Sequence, residues 1–121
     1  MILSIEQLMG LPKAADVTEV VDVPEWGGAV TIRALSLAQR DEMLHECGRN
    51  AEQDSERWNT LVLVNGLADP VVSYDQAVQL RQLQMGPVAR LIDRIWDLSG
   101  LTPGGHLAKE AVDEAEETFR G

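Results

Sequence analysis

The sequence predicts an α+β domain, mostly helical, in which an N-terminal β-hairpin packs on a small bundle of about four helices. Three observations predict it. Two short alternating runs flank a Pro- and Gly-containing reversal between residues 17 and 35. The spacing Ser-x-x-Gln recurs at Ser4 with Gln7, Ser36 with Gln39, and Ser73 with Gln76. Residues 87–99 carry a one-sided apolar stripe. The first has the period of half-buried strands, the second the spacing of a helix capping box, and the third the period of an amphipathic helix.

Taken in order, Ser4 and Gln7 open about one helical turn over residues 5–9, stopped by Gly10 and Pro12, and residues 13–16 form a connector. Along residues 17–23, Val17, Val21 and Val23 share a face with Glu19. On the return run Val30, Ile32 and Ala34 share a face, with Thr31 and Arg33 opposite. Pro24 cannot donate to a ladder and Gly27 and Gly28 tolerate positive φ, so the chain reverses there in a loop of about five residues, with Trp26 on the loop. Ser36 and Gln39 start a helix over 37–47, through Met43 and Leu44 towards Gly48, and the valine face of the hairpin is expected to bury against it. Residues 48–55 are polar and interrupt the pattern.

The apolar run of residues 56–68 fits helix or strand by periodicity alone. Its flanks favour a helix, with Trp58, Leu61, Val62 and Asn65 on one face, ended by Asp69-Pro70 because the residue before proline avoids the helical region. Ser73 and Gln76 cap a helix over 74–85, through Ala77, Val78, Leu80 and Leu83, closed by Gly86. Pro87 suits the first turn of the clearest helix, 87–99, where Val88, Leu91, Ile92, Ile95 and Ser99 form the stripe and Trp96 lies at its edge. Arg90, Asp93, Arg94 and Asp97 lie away from it. Gly100 ends that helix, and residues 103–105 form a joint. Beyond the joint Leu107, Ala111, Ala115 and Phe119 recur every fourth position among carboxylates. Residues 1–103 thus read as one domain and 104–121 as a flexible acidic tail, helical only where a partner covers Leu107 and Phe119.

Composition narrows the function classes. A chain of 121 residues can bury one modest core. With 20 acidic against 10 basic residues and a net charge of −10, sequence-independent nucleic-acid binding is unfavourable, because it depends on neutralising phosphates. Cys47 is the only cysteine, so nothing requires an oxidising compartment, and a cytosolic life is expected. Residues 1–10 lack the basic start of a secretory signal, and no apolar run approaches the roughly 20 residues of a membrane span.

No constellation of reactive residues stands out. His45 and Cys47 lie two apart, with Glu42 and Glu46 nearby, but positions two apart point to different helix faces, and His106 lies across a glycine joint. The carboxylates of residues 113–117 read as a solvated face. Gly27-Gly28 and Gly104-Gly105 lack the spaced glycines and lysine of a phosphate loop. The expectation is a non-enzymatic chain without metal or cofactor. Trp58 and Trp96 read as core. Trp26 either folds over the hairpin or stands out as an interface anchor, and with Leu107, Ala111 and Phe119 it is a partner-binding candidate.

The stretch VVDVPEWGGAVTIRALSLAQRDE of residues 20–42, together with ARLIDRIWDLSGLTP of residues 89–103, resembles the tail assembly chaperones of long-tailed bacteriophages and prophages. The resemblance implies a chaperone made in the cytoplasm of the infected or lysogenic bacterium and absent from the finished virion. It also implies two partners, the tape measure protein, which such chaperones keep soluble, and the tail tube protein, which they help recruit. Members are often made in two forms, the longer by a programmed frameshift near the end of the short frame, and the acidic tail here looks like the region before such a junction. The resemblance transfers no site residues. Self-association is expected on physical grounds, through an apolar helix surface or the hairpin edge. The rival reading is an acidic mimic of nucleic acid that inhibits a DNA-binding protein. Such mimics need regularly spaced carboxylates, whereas the acids here concentrate in the tail and elsewhere mix with Arg33, Arg40, Arg90 and Arg94.

Overall fold

The computed structural model describes residues 1–48 and 55–101. Among these the elements run α1 (Ile5–Met9), β1 (Thr18–Val23), β2 (Gly28–Arg33), α2 (Leu37–Cys47), α3 (Ser55–Gly66), β3 (Leu67–Asp69), α4 (Tyr74–Leu80) and α5 (Met85–Leu98), with 3-10 turns at Ala14–Asp16 and Pro24–Trp26. The α+β class expected from the sequence is the class observed.

All three Ser-x-x-Gln spacings form complete capping boxes. Ser4, Ser36 and Ser73 each accept a bond from the backbone N–H of the glutamine three residues on, at 3.2, 3.1 and 3.2 Å, and each donates its own N–H to that glutamine's Oε1 at 2.9 Å. Two orphan donors at each helix start are thereby satisfied locally. The hairpin is antiparallel, with Val21 opposite Val30 and Val23 opposite Gly28. Because Gly28 already belongs to the ladder, the reversal is Pro24 to Gly27, one residue tighter than expected, and Gly27 adopts the left-handed conformation (φ 74°) that glycine takes without steric cost.

Three helix boundaries differ from the sequence reading. The helix over 56–68 stops at Gly66, and Leu67 to Asp69 become a third strand, giving the order β1-β2-β3 with Leu67 opposite Ile32 and Asp69 opposite Thr31. The helix over 74–85 stops at Leu80, because Gln82 and Leu83 donate back to Gln79 and Leu80 at 3.0 and 3.1 Å and tighten the chain into a turn. Gly86 therefore does not close it but lies in the first turn of α5, which begins at Met85, two residues before the start expected at Pro87; Pro87 still falls in that first turn, where its missing N–H has no helical partner to lose.

One apolar cluster draws on the sheet through Val23, Ile32 and Leu67, on α2 through Met43, on α3 through Trp58, Val62 and Leu63, on α4 through Ala77, and on α5 through Leu91, Ile95 and Trp96. The helices against which the hairpin chiefly lies are α3 and α5, while α2 packs on α3; the expected burial of the valine face on the helix after Ser36 is corrected accordingly. Trp96, placed at the edge of the α5 stripe, is fully enclosed and stacks on Trp58 with ring centroids 5.6 Å apart and planes 17° from parallel. Arg33, expected on the outer face of its strand, turns along the sheet so that its Nε donates to the Asn65 carbonyl at 2.6 Å and satisfies one of the last carbonyls of α3.

Candidate interaction surfaces

A glutamate on the inward face of β1 needs a partner. Glu19 finds one in Arg94 of α5, which donates through Nε and Nη2 to both carboxylate oxygens and through Nη1 to Asp97 one turn away. The hydrogen bonds from Arg94, reinforced by its charge, hold the Glu19 carboxyl below the usual carboxylate range and raise the guanidinium further above its own. One turn earlier on α5, Arg90 donates to both oxygens of Glu25 at 3.0 and 2.8 Å, tying down the hairpin tip. At the other end the Leu35 N–H donates to the Ser99 hydroxyl at 2.8 Å, which in turn donates to the Ile95 carbonyl at 2.6 Å. The arginines assigned by periodicity to the free side of α5 are thus the residues that fasten the hairpin to it.

Beside this seam lies a groove of about 530 Å³ lined by Val21, Asp22, Arg90, Asp93, Arg94 and Leu101. Trp26 is half-buried against the core cluster, so it folds over the hairpin and leaves one part of its ring in solvent. Leu107, Ala111 and Phe119, with the joint of residues 103–105 and His106, lie outside the described residues. His45 is exposed, and Cys47 is half-buried against the core. Among the described residues no group of three His, Cys, Asp or Glu side chains is arranged to hold a metal ion, and no helix is long and apolar enough to cross a membrane.

Sequence reasoning missed a second pair of surfaces. Residues 1–11 contain no buried side chain, and α1 presents Ile5, Leu8 and Met9, at positions i, i+3 and i+4, to solvent. The helix was legible from its cap, but its apolar face gave no sign that no described residue would cover it. Separately, the segment after β3 and α4 form a groove of about 410 Å³ lined by Val71, Val72, Leu80 and Leu83 with Gln76 and Gln79. Val71 and Leu83 are exposed within it. Set against family models, curated proteins and solved structures, the chain matches none.

Proposed function

We propose that the chain is a non-enzymatic tail assembly chaperone of a long-tailed phage or prophage. In this reading it binds the tape measure protein, keeps it soluble and helps bring the tail tube protein to it in the bacterial cytoplasm, and it does not enter the virion. The observation that carries the reading is the meeting of the two stretches on which the resemblance rests. They are far apart in sequence, yet the hairpin of the first and the helix of the second are one unit, joined by Arg90 with Glu25 and by Leu35 with Ser99. A shared sequence pattern that also builds a shared packing unit is what a common fold requires. The physical character of the chain supports the role: a tape measure is a long helical polypeptide with apolar stretches, and an acidic partner with exposed apolar surface covers such stretches while its charge keeps the complex dispersed. Nucleic-acid mimicry draws less support, since Glu19 and Glu25 are engaged by arginines and cannot imitate free phosphates.

Co-expression with the tape measure protein of the same phage or prophage tests the proposal. The expected result is transfer of that protein from the insoluble to the soluble fraction and its recovery in a pull-down. Removing residues 106–121 should weaken both effects if Leu107, Ala111 and Phe119 order on the partner. A full-length chain that neither binds nor solubilises the tape measure protein would rule the role out.

A further inference from the structure

We propose that the outer edge of β1, with the acidic groove beside it, takes up an extended basic segment of a partner protein as a further strand of the sheet. The inference does not depend on the chaperone role. β1 is an edge in the order β1-β2-β3. Ala34 donates its N–H to the Val17 carbonyl at 2.9 Å, so in this register Glu19, Val21 and Val23 turn their backbone groups to β2, and Thr18, Val20 and Asp22 turn theirs outward. The same alternation turns Thr31 of β2 towards β3, where it opposes Asp69. Among the described residues no hydrogen bond reaches the outward N–H and carbonyl groups of β1. Thr18, Val20 and Asp22 are all exposed, Val20 to 68 %. An edge with a free donor and acceptor at every second residue is the template on which a peptide strand pairs.

The groove of about 530 Å³ shows which side chains such a strand would carry. α5 runs back along β1, with Arg94 at Glu19 and Arg90 at Glu25 beyond the strand's end. Glu19, Glu25, Asp22, Asp93 and Asp97 share only these two arginines, so the groove keeps a surplus of negative charge. Asp93 and Asp97 lie one helical turn apart, about 6 Å, and every second side chain of a strand recurs at about 7 Å. Lys or Arg at alternate positions therefore brings its charge to these carboxylates, while its aliphatic stem covers Val21 and Leu101, both half-buried in the groove lining.

Charge also decides against the chain itself as the occupant. Residues 102–121 carry five carboxylates against Lys109 and Arg120, and residues 49–54 carry two against Arg49. A second copy brings a net charge of −10. Each of these meets repulsion at Asp93 and Asp97, whereas a basic strand neutralises both carboxylates and gains the outward backbone bonds as well.

Amide hydrogen exchange read by nuclear magnetic resonance on the full chain provides the test, with a terminally blocked hexapeptide alternating lysine and valine as the probe. Saturating peptide should slow exchange at Thr18, Val20 and Asp22 by about tenfold or more. The amides of Glu19 and Val21, already bonded to β2, should not change. Methylating the backbone nitrogens on the edge-facing side of the peptide should abolish the protection, and replacing its lysines by glutamate should abolish binding. Asp93→Lys should weaken binding about tenfold. Asp93 is exposed and no hydrogen bond or ion pair holds it, so this variant should keep the parent's far-ultraviolet spectrum. A millimolar peptide that leaves the three amides unprotected overturns the proposal, as does an affinity that survives the methylated peptide or Asp93→Lys. Protection of those amides in the chain without peptide overturns it too, because a second copy or residues 102–121 would then hold the edge.

Discussion

Gly66 ends α3 where α5 crosses it, and the space a methyl group would need is already filled. A Cβ there would lie 2.5 Å from Ile95 Cδ1 and 2.8 Å from its Cγ2. Ile95 is fully buried and has little room to yield. Gly66→Ala should therefore cost about 1–3 kcal/mol by overpacking, and less in an Ile95→Val background, since that change removes the nearest atom. Urea melts of the two single variants, the double variant and the parent check both statements. Glu19 has a different signature. A carboxyl whose folded-state pKa is lowered contributes stability that is complete above its unfolded value of about 4.3. That contribution is lost as pH falls through the folded value. Glu19→Gln should lower the melting temperature at neutral pH, with parent and variant converging as the pH drops below about 4. The effect should also shrink in high salt, because both partners are partly exposed.

At the scale of elements, α5 is the keel. Its buried face of Val88, Leu91 and Ile95 meets both the sheet and α3, so an unpaired charge at Ile95 has no route to water. Ile95→Asp should cost roughly 3 kcal/mol or more, read as a large fall in melting temperature; a full-strength melt would mean that another face is the buried one. The elements legible in the sequence were those with local chemistry to announce them. Each Ser-x-x-Gln box names its own helix start, and alternation in two facing runs names the hairpin. β3 had no such announcement, because a strand as short as Leu67 to Asp69 shows no period and continues an apolar helix without a break in composition. At the last residue of α3, Gly66, the chain lies against Ile95, a contact between residues far apart in the chain. The end of α4 was misplaced for a similar reason: Leu83 continues the helical spacing, but its exposed side chain has no core to face.

For the molecule as a whole, the sequence indicated what kind of surface to seek but located only part of it. Trp26 was marked out by its loop, but its packing against the core and the tie from neighbouring Glu25 to Arg90 are encoded in no local pattern. The apolar face of α1 and the groove beside α4 are stretches that look like core until the fold leaves them open among the described residues. The tryptophans give this architecture an optical consequence. Of the three in the chain, Trp58 and Trp96 are stacked within the core and Trp26 sits at the hairpin tip. The stacked indoles are an asymmetric, closely coupled chromophore pair, so near-ultraviolet circular dichroism reports on the closing of α3 against α5, while the part of the emission that Trp26→Phe removes reports on whatever covers the tip. One unlabelled chain thus signals core integrity and partner contact in two spectral channels, and Trp26→Phe silences the second while leaving the first.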